Sequence, residues 1–148
     1  MKENTKKIRE VAEKKNLLSS APISHGVGRR KSSVARVWLR HGEGKIIINN
    51  KEFLKYCTTD VARRAVLESL AVVGAGTNFS VDVNVHGGGI HSQADAIKLG
   101  IARALSFYST EFRSVLRAKG YLTVDSRLKE RKKYGQKGAR KKFQFVKR

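Results

Sequence analysis

Cysteine is nearly missing from this chain, since Cys57 is the only one in 148 residues. No disulfide can form within the chain, and a single thiol is typical of a protein from a reducing compartment. A lone cysteine is more often a small packed residue than a nucleophile. We therefore expect Cys57 to pack as a small, half-buried residue without a chemical role.

Long apolar runs and acidic residues are scarce too. No stretch of about 18 apolar residues occurs, so the sequence predicts no membrane-spanning helix, and the N-terminus lacks the apolar segment of a secretory signal. The 12 Asp and Glu residues are outnumbered by 32 Lys and Arg, which gives a formal net charge of +20. Such an excess repels itself in a compact body unless a polyanion neutralises it. The sequence thus predicts a cytoplasmic protein with a nucleic-acid partner and no membrane partner.

Composition divides the chain into three segments. Residues 1–24 are highly charged, contain the only proline, and are predicted to form an N-terminal extension and linker. Residues 25–126 carry the apolar periodicity of a globular domain. Residues 127–148 contain eleven cations and one acid, with too few apolar residues for a core. This last segment is predicted to be an extended basic tail, whose three aromatic rings can stack on unpaired bases.

Two kinds of strand pattern occur in the middle segment. "VARVWL", residues 34–39, and the run of isoleucines at 46–48 are interpreted as the two strands of a hairpin, with "HGEG" as its turn. "SVDVNVH", residues 80–86, alternates strictly between valine and polar side chains, which predicts a strand with one buried face.

Helical spacing accounts for most of the remaining middle segment. One helix is predicted to begin at Thr59 or Asp60 and to end at Gly74, and another to open with Ser92 as its capping residue. A third is predicted from about residue 110 to 119. These elements predict an α/β (α+β) fold, a two-layer sandwich in which helices cover one face of a sheet.

The stretch "GVGRRKSSVARV", residues 26–37, has the composition of a phosphate-binding site. It does not match a nucleotide-binding P-loop, which needs a glycine before Lys31 where this chain has Arg30. It fits a nucleic-acid backbone better, because glycines let main-chain amides approach phosphates that cations and hydroxyls also bind. A solvated charged loop is the alternative. The side chains predicted to bind phosphate are Arg29, Arg30, Lys31 and Ser32.

Three consecutive glycines, Gly87 to Gly89, connect the alternating strand to the next helix. Amides of such a turn, together with the positive end of a helix, favour an anion, although a tight turn that needs positive φ explains the glycines equally well. No paired carboxylates lie nearby to hold Mg²⁺, as a kinase would need. His86 and His91 flank the glycines without a third type of ligand, so no metal, cofactor or catalytic residue is predicted.

Four stretches resemble the bacterial form of the universal small-ribosomal-subunit protein nine family. They are "GRRKSSVARV", "GGGIHSQADAIKLGIARAL", "DSRLKERKKYGQKGARKKFQF" and the terminal "KR". The similarity runs from about residue 26 to residue 148, and the motifs recur in order. It implies a two-layer α/β fold related to the second domain of small-subunit protein five. It also implies a place in the head of the small ribosomal subunit.

The resemblance further implies partners and contact residues. The partners would be the 3′ major domain of small-subunit ribosomal RNA, the anticodon stem-loop of P-site tRNA, and neighbouring proteins of the subunit head. Lys147 and Arg148 match the tip that reaches the tRNA, whereas Asp95 and Val124 depart from the family pattern. The residues that match the family's ribosomal RNA contacts are Arg29, Arg30, Lys31, Gly87, Gly88, Gly89, Gln93, Arg127, Arg131, Lys132, Lys133, Arg140, Lys141 and Lys142.

The function predicted from these observations is structural and not enzymatic. We expect a constituent of the small ribosomal subunit whose body docks on folded RNA and whose tail becomes ordered as it binds. Two other hypotheses stay open at this point. One is a free-standing RNA chaperone, and the other is an ATP-using kinase of related fold with the glycine triplet as its phosphate loop.

Overall fold

One mixed sheet and a layer of helices make up the computed structural model, which describes residues 21–145. The strands are β1 (Ser24–Arg30), β2 (Ser33–His41), β3 (Ile46–Ile48), β4 (Lys51–Glu52) and β5 (Phe79–His86). The helices are α1 (Phe53–Tyr56), α2 (Asp60–Val73), α3 (Ile90–Tyr108) and α4 (Thr110–Ala118). The two-layer α/β fold predicted from the sequence is confirmed.

The strand order in the sheet is β1-β2-β5-β3-β4. The pairs β1–β2, β2–β5 and β3–β4 are antiparallel, whereas β3 runs parallel to β5. The predicted hairpin between β2 and β3 is therefore wrong, because β5 lies between them. The longer β5 pairs with β2 along its whole length, from Phe79 opposite His41 to His86 opposite Val34, while three-residue β3 offers only a short ladder. The connection through α2 makes this insertion possible.

The inner face of the sheet packs on the helices. Val81, Val83 and Val85 of β5 are buried, as their alternation predicted, and so are Ala35, Val37 and Leu39 of β2. The helices contribute their own apolar stripes, with Val66 of α2 and Ile97 and Ile101 of α3 fully buried. Cys57 is also buried in this core, and burial raises the pKa of its thiol, which suits a packing role and not a nucleophile.

β1 and α3 approach each other so closely that only glycine fits between them. A Cβ on Gly26 would lie 2.2 Å from the carbonyl oxygen of Gly100, and one on Gly28 would lie 1.8 Å from that of Ala96. The guanidinium of Arg103 reinforces the contact by donating to the carbonyl oxygen of Val27 at 2.6 Å. The expectation that Gly26 and Gly28 let amides approach a phosphate is therefore wrong. They are packing residues that face the helix.

Helix α3 begins earlier than its sequence suggests. Ile90 is its first residue and Gly89 its N-cap, so Ser92 lies inside the first turn and is not the predicted capping residue. The Ser92 hydroxyl accepts a hydrogen bond from the Gly89 amide at 3.1 Å and so satisfies that group from within the helix. The sequence pattern was ambiguous because a serine can serve the helix terminus from either position.

Helices α2 and α4 follow the sequence prediction closely. α2 begins after Thr59 and ends at Gly74, whose φ of 68° is the left-handed conformation that glycine adopts without strain. α4 begins after Ser109, whose side chain accepts from the amide of Glu111. None of the helices described here is both long and apolar enough to cross a membrane. From Ala118 to residue 145 the described chain contains no further helix or strand.

Candidate nucleic-acid interface

The basic stretch forms the end of β1 and the tight turn that follows it. Arg30 pairs with Ser33 across the β1–β2 ladder, so Lys31 and Ser32 are the two loop residues of a hairpin. Lys31 has a φ of 51°, as such turns require. Arg29, Lys31 and Ser32 are exposed to solvent. The residues that the sequence indicated as a phosphate loop thus stand at the tip of a rigid hairpin.

The glycine triplet lies directly against this hairpin tip. Gly87 and Gly88 have φ values of 76° and 63°, and a Cβ on Gly87 would lie 2.3 Å from the carbonyl oxygen of Ser32. The hydroxyl of Ser33 donates to the carbonyl oxygen of Gly87 at 2.9 Å and lies 2.8 Å from that of Ser92. Two segments far apart in sequence therefore form one surface. We call it the turn edge, and it consists of Lys31, Ser32 and Gly87–Gly89.

Gln93, in the first turn of α3, holds the glycine turn in place. Its side-chain amide donates to the carbonyl oxygen of Gly87 at 3.0 Å, and its carbonyl oxygen accepts from the Tyr56 hydroxyl at 2.7 Å. Burial raises the pKa of that tyrosine further above its ordinary value, which favours the protonated hydroxyl that donates to Gln93. Of the four residues that the resemblance placed at this turn, the glycines are exposed and Gln93 is half-buried.

Arg30 points away from the turn edge into a cluster of acidic groups. Its side chain is only 12% exposed, and its guanidinium lies 2.9 Å from the Asp125 carboxylate and 3.7 Å from that of Asp95. It also donates to the carbonyl oxygens of Asp125 and Arg127, at 3.4 and 3.0 Å. This guanidinium therefore connects β1 and α3 to the first residues after the globular body.

Asp125 is the centre of this cluster. Hydrogen bonds from the side chain and the amide of Arg127, with the nearby charge of Arg30, hold the pKa of its carboxyl well below the usual range. Both oxygens of Asp125 accept from Arg127, at distances from 2.6 to 3.0 Å. We call Arg30, Asp95, Asp125 and Arg127 the tail anchor. The spacing of Ser92 and Asp95 predicts a capping box, and Asp95 also departs from the family pattern, but nothing in a local pattern could pair it with Arg30.

The tail beyond the anchor presents its cations to solvent. The side chain of Arg140 binds the Glu130 carboxylate through its Nε at 2.9 Å, which lowers the pKa of that glutamate. Lys137 lies 5.4 Å from the centre of the Phe143 ring. The tail residues predicted to bind RNA are all exposed: Arg127, Arg131, Lys132, Lys133, Arg140, Lys141 and Lys142. Lys147 and Arg148 lie outside the described residues, as do residues 1–20 of the extension.

A rigid α/β body with a cationic turn edge, continued by an exposed basic tail, defines a nucleic-acid-binding protein. The comparison with known families is specific. The chain belongs to the family described as ribosomal protein S9/S16, whose model matches residues 28–148. The resemblance seen in the sequence motifs is confirmed.

Individual relatives cover almost the whole chain. Small ribosomal subunit protein uS9 of Cytophaga hutchinsonii is 48% identical over 126 residues, which is 85% of this chain and 98% of the relative. The protein of the same name from Mesomycoplasma hyopneumoniae is 49% identical over 124 residues, 84% of this chain and 94% of the relative. The protein of the same name from Borreliella burgdorferi is 47% identical over 135 residues, which is 91% of this chain and 99% of the relative.

Family membership confirms the function predicted from the sequence at its broader level. The chain is a bacterial-type structural protein of the small ribosomal subunit that binds ribosomal RNA and has other ribosomal proteins as partners. The question raised by its charge is thereby answered, since the polyanion is ribosomal RNA.

Proposed function

We propose that the protein binds the 3′ major domain of ribosomal RNA in the subunit head through two regions, the turn edge and the tail. The observation that carries this proposal is the contact between the two turns. It places the exposed cation of Lys31 and the hydroxyl of Ser32 beside a glycine turn whose backbone a phosphate can approach closely. Arg29 is exposed at the end of the adjoining strand and adds a second charge.

Arg30 and Gln93 have supporting roles in this proposal. The guanidinium of Arg30 is occupied by two carboxylates and two carbonyl oxygens, so it fixes the direction in which the tail leaves the body. Gln93 uses its amide to hold the Gly87 carbonyl, which fixes the conformation of the turn. RNA contact therefore falls to Arg29, Lys31, Ser32 and the glycines.

The tail binds by charge neutralisation. Its lysines are exposed, and each phosphate that they contact releases condensed counterions from the RNA. The segment has too few apolar residues to order itself, so the release of counterions offsets the entropy of ordering. Phosphate contacts carry no sequence information, and the tail follows the shape of the RNA.

No reaction is part of this proposal. A Cβ on Gly88 would lie 2.2 Å from the Ser33 hydroxyl and 2.6 Å from the Ser92 hydroxyl, so the inside of the glycine turn is filled by the protein itself. A nucleotide would have to bind outside this turn, where the sequence supplies no pair of carboxylates for Mg²⁺. These observations support a structural role over a kinase.

The salt dependence of RNA binding tests the role of the tail. Changing Lys132→Gln and Lys133→Gln together should reduce the slope of log K against log salt by about 1.5, for two phosphate contacts. The matched control is Lys45→Gln with Lys51→Gln, two exposed lysines beside β3 and on β4, at the sheet edge opposite β1. Filter binding to a transcript of the 3′ major domain measures both. An equal change in the two pairs would mean that the net charge, and not the tail, binds the RNA.

We also propose that Lys147 and Arg148 contact P-site tRNA, on the strength of the resemblance alone. Deletion of residues 146–148 should leave assembly into the subunit nearly unchanged, because residues 23–122 supply the packed core that docks on the RNA. Retention of tRNA in the P site should weaken, since two cations near its backbone are lost. Binding of labelled tRNA to purified subunits is the measurement, and equal retention by both subunits would exclude the contact.

A further inference from the structure

The second face of the sheet carries side chains that neither the core nor the turn edge uses. Alternation along the strands places polar and aromatic residues there, opposite the buried valines. We call this surface the outer face, and on β1, β2 and β5 it consists of His25, Val27, Arg29, Val34, Arg36, Trp38, Arg40, Asp82, Asn84 and His86. Each of them is exposed or half-buried. Within residues 21–145 no helix covers this face.

An aromatic pair lies at one end of the outer face. Trp38 is opposite His25 across the β1–β2 ladder, and their ring centres are 5.6 Å apart with planes inclined by 43°. Trp38 is half-buried but is not among the hydrophobic residues that pack against the core. A large ring held by its neighbours and open on one side is a platform on which another planar ring can stack.

Two arginines lie beside this aromatic platform on β1 and β2. Arg36 is two residues from Trp38 on the same strand, about 7 Å away along it, and Arg29 is diagonal to Arg36 across the ladder. Neither arginine side chain forms an ion pair with another residue in the described range, 21–145. Val27 and Val34 fill the space between them. The resulting pattern, rings beside free cations, is typical of surfaces that bind single-stranded nucleic acid.

Charge decides what can cover the outer face. The one acid of the outer face, Asp82, is opposite Trp38 and pairs with Arg40 at 3.3 Å, and exposed Glu52 is on β4 at the far edge. Residues 1–20 of this chain carry six cations and three acids, and a second copy carries +20. Both would be repelled by a cationic surface. A polyanion is the complementary occupant.

We propose that the outer face binds an unpaired segment of ribosomal RNA. One base stacks on the Trp38–His25 pair, and the flanking phosphates contact Arg36 and Arg29. This inference rests on the proposed function of RNA binding and adds a second surface to it, on the opposite side of β1 from α3. It explains why the only tryptophan of the chain lies outside the core.

Trp38 itself reports on this surface, because no other tryptophan contributes to the fluorescence. In the full-length protein bound to a transcript of the 3′ major domain, stacking should quench Trp38 emission and lower its Stern–Volmer constant for acrylamide at least threefold. Binding is measured in parallel by sedimentation. An unchanged Stern–Volmer constant in a sedimenting complex would overturn this inference and leave the proposed function intact, whereas failure to sediment would overturn both.

Other occupants give different results in the same protein. If Trp38 is already protected in the free full-length chain, the chain covers its own outer face. If hydroxyl-radical oxidation of Trp38, read by mass spectrometry, falls only in the assembled subunit and not in the RNA complex, a neighbouring protein covers it. Either result would overturn the inference.

Two substitutions separate the outer face from net charge. Trp38→Leu keeps an apolar side chain but removes the stacking surface, and it should weaken RNA binding at least fivefold. Arg36→Gln should weaken RNA binding by about as much as the loss of any other single phosphate contact. It should also reduce the protection of Trp38 from acrylamide. Arg64→Gln removes the same charge from an exposed position on α2 and should change neither quantity. Equal effects of Arg36→Gln and Arg64→Gln would contradict the proposal.

Discussion

The globular body and the tail of this chain are stabilised by different forces. The body, from Ile23 to Leu122, buries its apolar side chains between a sheet and helices, and its charged groups stay at the surface. The tail, residues 127–145, buries almost none of its side chains, and its leucine and aromatic rings are largely exposed. The body therefore has its shape before RNA binds, whereas the tail has the charge that makes binding strong. Apolar packing stabilises the body, and electrostatic attraction to RNA governs binding by the tail.

The two regions meet at the tail anchor. Arg30 is a strand residue of the body, and its side chain is largely buried there. Its guanidinium binds Asp125 and the carbonyl oxygen of Arg127, at the place where the tail begins. A second set of contacts lies just before it, where the Tyr121 hydroxyl donates to Glu68 at 2.8 Å and Glu68 also binds Lys98 at 3.1 Å. The anchor gives the charged segment a fixed origin, so the tail leaves the body at a defined place.

Two leucines, one in each region, should differ strongly in how much they stabilise the fold. Leu116 of α4 is fully buried, whereas Leu128 in the tail is 64% exposed. Leu116→Ala should lower the free energy of unfolding by about 3 kcal/mol, because it removes buried methylene contacts and leaves a cavity. Leu128→Ala should change it by less than about 0.5 kcal/mol. Urea unfolding followed by circular dichroism measures both.

A substantial loss of stability in Leu128→Ala would contradict this difference between the two regions. It would mean that the tail packs against the body in solution and contributes to the core. RNA binding, in contrast to stability, should not distinguish the two variants. Leu128→Ala and Leu116→Ala, compared under conditions where both are folded, should bind ribosomal RNA with similar salt slopes, because neither changes a cation.

Sequence reasoning worked where a local period reports burial. The three valines of β5 alternate with polar residues, and the stripe of α2 repeats at helical spacing, so each segment shows which face is apolar without reference to its partner. The net charge likewise indicated a nucleic-acid partner, because composition can be assessed without coordinates. The sequence also predicted the end of α2 at Gly74, because glycine adopts the left-handed conformation that ends many helices.

Reasoning from local pattern failed where the answer depended on a distant segment. β3 reads as the return strand of a hairpin, and only the longer ladder of β5 displaces it from β2. Gly26 and Gly28 look like part of a phosphate loop, but the backbone of α3 is what requires them. Arg30 looks like its neighbour Arg29, and only burial beside Asp95 and Asp125 distinguishes the two.

The smallest expected effect concerns the protonation of Asp125, at the junction of the two regions. Its folded-state pKa lies below the unfolded value of about 3.9, so the ionised carboxylate favours the folded state at any pH above that value. This contribution is lost only as the pH falls below the unfolded value toward the folded one. Between pH 7 and pH 5 the anchor should therefore be insensitive to pH. A carboxyl carbon NMR titration of Asp125 measures this directly.

Two substitutions rank the partners of Asp125 in the same titration. Arg127→Gln should raise the pKa of Asp125 most, because Arg127 supplies the hydrogen bonds from its guanidinium, and Arg30→Gln should raise it less, because Arg30 acts mainly through its charge. The reverse order would mean that the body, through Arg30, determines the ionisation of Asp125. A titration of the unsubstituted protein near 3.9 would mean that the anchor is open in solution. In that case the direction of the tail would be set by the RNA alone, and the boundary between the two regions would lie before Asp125.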